Sequence, residues 1–283
     1  MSVLYVVATP IGNLGDLSPR ALKTLGEVSL ILAEDTRVTR KLLNAMGIKT
    51  PLESCHEHNE EGKARQIVAR MRAEELSIAL VSDAGTPGVS DPGARIVRAV
   101  GEAGFQVLAI PGPSAFAAAL SVSGFEEKEF TFYGFLPRKK GELEEKLKKM
   151  GQEAQLALIY EAPHRILDLL EAIAALYPMA PLSISRELSK MYEQTLRGSA
   201  SELLARFKAD EGIRRGEFCL VLKLPEPEKT SPEEEMGLEA RLVNLMAGGL
   251  NLRQAMEALT DQKEKKNAVY AASLKLKSLL EDL

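Results

Sequence analysis

Residues 77–112 read SIALVSDAGTPGVSDPGARIVRAVGEAGFQVLAIPG, and this stretch decides the fold. Short apolar runs containing valine and isoleucine occupy residues 77–85 and 105–112 and predict two strands. Between them, residues 92–103 show the spacing of apolar positions that is typical of a helix, and Pro92 suits its first turn because proline lacks the N–H that has no partner there. A strand, a helix and a strand in this order predict a parallel β–α–β unit.

The same alternation of strands and helices extends toward the N-terminus. Strand-like runs at 4–9 and 28–35 and helical patterns at 18–25 and 62–73 complete an α/β domain, which we expect over residues 1–118. In open α/β sheets, ligands bind beyond the carboxyl ends of the strands. The loops that follow these strands are therefore the first candidates for a functional site.

The second half of the chain also alternates, but two of its strands follow each other closely. The predicted strands are residues 129–137, 155–163, 181–188, 192–199 and 216–225. Only a few residues separate the third from the fourth, too few for a helical crossover, so we expect a mixed-sheet α/β domain over residues 119–225. The Pro- and Glu-rich residues 226–237 predict an acidic linker, and two amphipathic stretches within 238–283 predict a small helical appendage.

Composition excludes several classes of protein. The formal net charge is −4, from 36 basic and 40 acidic residues, so the chain as a whole lacks the positive excess typical of nucleic-acid-binding domains. No apolar run is long enough to span a membrane and the N-terminus lacks signal-peptide features, so we expect a cytoplasmic protein without a membrane partner. Two cysteines, Cys55 and Cys219, are too few for a disulfide framework.

Three loops rich in glycine and proline follow predicted strands. The most unusual one is SDAGTPGVSDPG, residues 82–93, and a structural turn seldom needs so many special residues, so we interpret it as a ligand-binding loop. TPIGNLGD, residues 9–16, is either a binding loop or a tight turn between a strand and a helix. In IPGPSA, residues 110–115, Ser114 is expected to cap the following helix.

Eight motifs in a preserved order carry a resemblance to a known family. They are VATPIGNLGDLSPRA (7–21), AEDTRVT (33–39), ESCHEHNE (53–60), LVSDAGTPGVSDPG (80–93), IPGPSA (110–115), FYGFLPR (132–138), YEAPHR (160–165) and SRELSKMYEQ (185–194). The series resembles the tetrapyrrole methylase superfamily, whose enzymes use S-adenosylmethionine (SAM) and have two α/β domains with the cofactor cleft between them. Within it, the ordered series resembles the 16S rRNA (cytidine 2′-O)-methyltransferases. Ser82, Asp83 and Ala84 stand where many tetrapyrrole enzymes have G-D-P, and this departure favours RNA over a tetrapyrrole as the acceptor.

The resemblance implies a cofactor, a substrate and an assembly. The chain would bind SAM, methylate the ribose 2′-hydroxyl of a cytidine in 16S rRNA of the small ribosomal subunit, and form a homodimer. Main-chain groups of residues 83–86 and 111–115 would hold most of the cofactor. The cofactor-binding residues implied in this way are Pro10, Asp83, Ala84, Gly85, Thr86, Pro111, Ser114, Ala115 and Tyr160.

Methylation of a ribose hydroxyl requires a group that removes its proton or stabilises the developing charge. Charged residues at predicted strand ends are the candidates. The catalytic residues expected on this basis are Glu34, Asp35, Arg37, Glu161, Arg186 and Lys190. Structural alternatives exist, since Asp35 and Arg37 could form an internal ion pair and Glu161 could favour a helix N-terminus without any function. Lys190 would act as a base only if burial lowered its pKa.

Basic side chains and histidines indicate where RNA would bind. The expected RNA contacts are Arg40, Lys41, His56, His58, Arg138 and Arg165. Cys55 lies close to His56 and His58, but a catalytic zinc site needs a further protein ligand and His164 is remote in the sequence, so no metal is predicted.

Aromatic residues and the C-terminal lysines leave further alternatives open. We interpret Phe132, Tyr133 and Phe135 as core residues, the alternative being a stacking surface for unpaired bases. The appendage could extend a basic rim toward RNA. Its relevant residues are Lys263, Lys265, Lys266, Lys275 and Lys277.

Two other functions are compatible with the sequence. The first is methylation of a tetrapyrrole such as a precorrin or porphyrin precursor, which label from SAM in a small-molecule fraction would indicate. The second is a ribosome-associated binding module without catalysis, which RNA binding in the absence of SAM binding would indicate.

Overall fold

The computed structural model describes residues 2–225, 237–261 and 266–281. The chain divides into two compact units, Met1–Pro225 and Glu226–Leu283. The predicted acidic linker lies outside the described residues except for Gly237. Among the described residues, no helix has the length and apolar character needed to cross a membrane.

The first half of the larger unit is a parallel sheet flanked by helices. Its elements are β1 (Val3–Val7), α1 (Pro19–Glu27), β2 (Leu30–Ala33), α2 (Thr36–Ala45), β3 (Leu52–Ser54), α3 (Glu60–Ala73), β4 (Ser77–Val81), α4 (Ala94–Glu102), β5 (Gln106–Ile110) and α5 (Ala115–Ser123). The strand order is β3-β2-β4-β1-β5, and all pairs are parallel. Strands β2 and β4 are buried almost throughout, which explains their continuous apolar sequences.

The second half of the larger unit is a mixed sheet. Its elements are β6 (Thr131–Phe135), α6 (Lys140–Glu153), β7 (Leu156–Glu161), α7 (Ile166–Leu176), β8 (Pro181–Arg186), β9 (Gln194–Ser199), α8 (Ala200–Ala209) and β10 (Phe218–Lys223). The strand order is β6-β7-β10-β8-β9. Only β6 and β7 pair in parallel and the other pairs are antiparallel, so the predicted two-sheet α/β fold with a mixed second sheet is confirmed.

Helix α5 joins the two sheets. Its buried Ala119 packs in one apolar cluster with Leu158 of β7 and Val221 of β10. The domain boundary that we expected after residue 118 falls inside this helix. The division of the larger unit at that residue stays a prediction.

Helix α4 begins two residues after Pro92, not at the proline as its sequence suggests. Gly93 precedes the helix with a φ of 139°, a conformation that other residues rarely adopt. The buried carboxylate of Glu60 accepts hydrogen bonds from the N–H groups of Gly93 at 2.9 Å and Arg95 at 2.8 Å. A side chain of α3 therefore satisfies the start of α4 and fixes the end of the loop at residues 82–93.

The smaller unit consists of α9 (Leu238–Ala247), α10 (Leu252–Asp261) and α11 (Lys266–Glu281). It has its own buried apolar cluster, which includes Leu242, Leu259 and Val269. The first predicted amphipathic stretch is two helices, because Gly249 adopts a φ of 98° between them. Lys263 and Lys265 lie outside the described residues.

Candidate active site

A cavity of about 360 Å³ lies at the carboxyl ends of the strands of the first sheet and against the second sheet. Its size falls within the range of small-molecule sites. Its lining residues are Ile11, Ala84, Gly85, Thr86, Val89, Ser90, Asp91, Ser114, Ala115, Phe135, Tyr160, Glu161, Ala162, Pro163, Leu188, Glu217, Phe218 and Cys219.

The loop after β4 is fixed to its neighbours by main-chain hydrogen bonds. Thr9 N–H donates to Gly85 O at 2.8 Å, and Gly85 N–H donates to Thr9 O at 3.0 Å. Gly85 has a φ of 80°, which favours glycine at this position. The Thr86 hydroxyl donates to Pro113 O at 3.3 Å, so the three glycine- and proline-rich loops form one connected wall.

Ser114 lies at the N-terminus of α5, but its hydroxyl does not cap the helix as we expected. The hydroxyl oxygen of Tyr160 instead accepts a hydrogen bond from Phe116 N–H at 3.0 Å. Burial raises the pKa of Tyr160 to about 12, so its hydroxyl keeps its proton at physiological pH. Ser114 therefore stands at the cavity wall with its hydroxyl available to a ligand.

Glu161 ends β7 with a side chain that has no exposed surface. Its Oε1 accepts a hydrogen bond from Ala162 N–H at 2.8 Å, and its Oε2 lies 3.3 Å from Arg165 Nη2 without hydrogen-bond geometry. Burial raises the pKa of Glu161, although the Ala162 N–H and the Arg165 guanidinium oppose it. Arg165 also donates to Leu136 O and Pro137 O, so this expected RNA contact is engaged with the main chain.

Three carboxyl groups, those of Glu34, Asp83 and Asp91, lie close together beyond the carboxyl ends of β2 and β4. Asp83 accepts a hydrogen bond from Asp35 N–H at 3.0 Å through Oδ1. Burial raises the pKa of Glu34, and the negative charges of Asp91 and Asp83 add to this effect. Burial also raises the pKa of Asp91, a hydrogen bond with the Ser82 side chain opposes this, and the negative charge of Asp83 adds to it. Asp91 alone among these residues lines the cavity.

Asp35 and Arg37 form an internal ion pair, which the sequence analysis gave as the alternative to a catalytic role for these two residues. Arg37 Nη2 lies 2.7 Å from Asp35 Oδ2, and Asp35 also caps α2 by accepting from Arg37 N–H at 2.8 Å. Hydrogen bonds from Arg37 lower the pKa of Asp35 to about 2. The Arg37 side chain is 87% exposed, and Arg40 and Lys41 of the same helix are also exposed.

Lys190 does not fit the role of a base. Its Nζ lies 3.0 Å from Glu187 Oε1 and 3.1 Å from Glu217 Oε2. Burial alone would lower the pKa of Lys190, but the two carboxylates hold it above its ordinary value. Arg186 lies on the same segment, with Nη1 3.5 Å from Gln194 Oε1.

The remaining predicted residues lie away from the cavity lining. The rings of His56 and His58 lie edge to face with their centroids 6.0 Å apart, and Arg138 is exposed. Pro10 and Pro111 do not line the cavity. Within the part of the chain that the structure describes, no group of three side chains has the arrangement of a metal site.

The structure thus brings together part of the predicted site. The predicted residues that line the cavity are Ala84, Gly85, Thr86, Ser114, Ala115, Tyr160 and Glu161. Asp91 was missed, although it lies in the loop that we interpreted as ligand-binding. Phe218 and Cys219 were missed because an apolar strand gives no sign that one of its ends faces a ligand.

Comparison with known proteins identifies the class that this fold and site define. The sequence matches the Tetrapyrrole (Corrin/Porphyrin) Methylases over residues 3–204, and the chain belongs to this family.

Among its relatives, the chain is 44% identical to "Ribosomal RNA small subunit methyltransferase I" of Synechocystis sp., over 98% of this chain and 99% of the relative. It is 47% identical to the protein of the same name from Xylella fastidiosa, over 78% and 81% of the two chains. A crystal structure of uroporphyrin-III C-methyl transferase from Thermus thermophilus complexed with S-adenyl homocysteine shares the fold, with a TM-score of 0.53 and 17% identity over 78% of this chain and 97% of that one.

Proposed function

We propose that this protein is a SAM-dependent methyltransferase that modifies the ribose 2′-hydroxyl of a cytidine in 16S rRNA. The observation that carries the proposal is the similarity of this chain to relatives named ribosomal RNA small subunit methyltransferase I. The similarity to the Synechocystis relative covers 98% of this chain and 99% of that relative. The cavity supports it, because it lies where ligands bind in open α/β sheets. We also propose that the protein works as a cytoplasmic homodimer, as the family resemblance implies.

The residues around the cavity fit a nucleoside-type methyl donor. Ile11, Leu188 and Phe218 provide apolar surface for a flat base. Ser114 and Ala115 stand at the N-terminus of α5. The helix dipole and the first-turn N–H groups other than that of Phe116, which donates to Tyr160, suit the carboxylate of the donor. SAM would supply a methyl group activated by a sulfonium.

Asp91 is the group that we propose to accept the proton of the ribose hydroxyl. It lines the cavity, and its raised pKa makes its carboxylate a stronger base than an exposed aspartate. Glu34 and Asp83 place further negative charge beside it. Glu161 is proposed as a positioning residue, because both of its oxygens already face groups of the protein.

Exposed cations around the site would contact the RNA backbone. We propose this role for Arg37, Arg40 and Lys41 at α2 and for Arg138 after β6. Arg186, Lys190, His56 and His58 are proposed to position RNA rather than to take part in proton transfer.

The test is methyl transfer to small ribosomal subunits isolated from cells that lack this protein. After incubation with SAM, digestion of the rRNA and mass spectrometry should find 2′-O-methylcytidine. Asp91→Asn should lower kcat about 100-fold and leave the Kd for SAM within a factor of about 2. Label on a base, or only in a tetrapyrrole fraction, would contradict the proposed function.

A further inference from the structure

Phe135 departs from the core role that we expected for it. It is 60% exposed and lines the cavity, whereas Phe132 and Tyr133 are partly buried against apolar clusters. A large aromatic side chain kept in solvent beside a ligand cavity loses the free energy of its own burial. Its position is therefore unexplained by folding.

A β-bulge directs the Phe135 ring toward the site. Phe132 is paired with Leu158 and Phe135 with Tyr160, and the register shifts by one residue between Phe132 and Gly134. Residues three apart therefore lie on the same face of the sheet, which regular alternation would not allow. Gly134 makes this possible with a φ of 64°.

Phe135 is held in place from two directions. Its ring centroid lies 5.8 Å from that of Tyr160, which lies 4.9 Å from Phe132, which lies 5.0 Å from Phe116. On the other side, Arg165 donates hydrogen bonds to the carbonyls of Leu136 and Pro137. The exposed ring is thus the end of a packed row of aromatic rings.

We propose that Phe135 is the stacking platform for the nucleobase of the acceptor nucleotide, an inference that rests on the proposed function. A methyl donor inside a cavity of about 360 Å³ would bury most of its own surface, so a ring that is 60% exposed lies at the open side, where the second substrate must enter. Arg138, Lys139 and Lys140 are exposed and follow within a few residues. An aromatic ring beside basic side chains is the usual arrangement for binding unpaired bases.

The first test uses fluorescence, since the chain contains no tryptophan. Phe135→Trp introduces one fluorophore at the cavity, and Phe130→Trp introduces one at a control position that is also exposed but does not line the cavity. With S-adenosylhomocysteine present, a short oligocytidylate RNA should quench the fluorescence of F135W and leave that of F130W unchanged. Quenching of F135W by S-adenosylhomocysteine alone, with no further change on adding RNA, would assign the ring to the donor and overturn the proposal.

The second test is kinetic and uses small ribosomal subunits as substrate. Phe135→Ala should raise the KM for the subunits about tenfold. Phe135→Tyr, which keeps an aromatic ring, and the control Phe130→Ala should both have the KM of the wild type. The Kd of F135A for SAM should stay within a factor of about 2 of that of the wild type. A changed oligomeric state of F135A in sedimentation would assign the ring to a subunit contact and overturn the proposal.

The two tests separate failure of this inference from failure of the proposed function. Methyl transfer by the wild type with an unaltered KM in F135A would contradict the stacking role alone. Quenching of F135W by RNA without any methyl transfer by the wild type would support the stacking role and contradict the proposed function.

Discussion

Several carboxyl groups of this site have raised pKa values, namely those of Glu34, Asp91 and Glu161. Glu161 is the clearest example, because its side chain has no exposed surface and burial outweighs the nearby Arg165 in setting its pKa. A carboxyl group whose pKa is raised in the folded state binds its proton more tightly there than in the unfolded chain. Its contribution to stability is therefore greatest at low pH.

This effect predicts a pH-dependent stability difference between the wild type and Glu161→Gln. Between pH 4.5, the ordinary pKa of a glutamate, and the raised pKa of Glu161, this carboxyl group is protonated to a greater extent in the folded protein than in the unfolded chain. The free energy of unfolding of the wild type minus that of E161Q should therefore fall as pH rises through this range. Urea unfolding of both proteins at several pH values measures it, and a difference that grows with pH would contradict the assigned direction of the shift.

At the scale of single residues, the sequence predicted which loop residues line the cavity better than it predicted the direction in which side chains point. Ala84, Gly85 and Thr86, for which the resemblance implied cofactor binding, line the cavity, and Gly85 adopts the positive φ that this turn requires. Their binding of the cofactor stays a prediction. Phe135 could not be placed, since a one-residue bulge reverses the face on which a strand side chain lies. Nor could the sequence distinguish a pairing of Asp35 with Arg37 from a ligand contact.

Among the structural elements, α3 has an effect beyond its own packing. The Glu60 carboxylate satisfies two N–H groups at the start of α4, and the loop that ends there contributes Val89, Ser90 and Asp91 to the cavity. Neither residue 60 nor residue 93 suggests this contact by local sequence, since they are far apart in the chain.

Glu60→Ala should lower the free energy of unfolding by about 3 kcal/mol, because two main-chain N–H groups lose a charged acceptor. Glu61→Ala is the matched control. Its side chain is 72% exposed and pairs, among the residues that the structure describes, with the exposed Arg65 and Arg95, so the loss should stay below about 0.5 kcal/mol. Chemical denaturation measures both, and equal losses in the two variants would contradict a stabilising role of Glu60 at the start of α4.

The elements themselves were largely predictable. Strands β2 and β4 follow apolar runs that the sequence shows plainly, because strands buried on both faces are apolar almost throughout. Strands β1 and β5 also follow apolar runs, although β5 lies at the edge of the sheet and is largely exposed. Strand β3 was not predicted, since its three residues include only one apolar side chain and its pairing with β2 is a tertiary effect.

At the scale of the whole molecule, the chain is two units, each with its own apolar core. A fragment of residues 1–225 should therefore fold, with cooperative unfolding in urea and with the S-adenosylhomocysteine affinity of the full-length protein. The same fragment tests the basic rim, because weaker binding to small subunits is expected if Lys266, Lys275 and Lys277 contact RNA. A fragment that fails to fold would contradict the division, and unchanged subunit binding would exclude the rim.

The central claim is that the cavity at the strand ends holds the methyl donor. Calorimetric titration of S-adenosylhomocysteine into the full-length protein tests it, with Ala115→Phe to fill the cavity and Ala117→Phe as the control, an exposed position on the same helix that does not line the cavity. We predict one site per chain, lost in A115F and kept in A117F while both variants retain the wild-type circular dichroism spectrum. Undiminished binding to a folded A115F, or no binding to the wild type, would contradict the account.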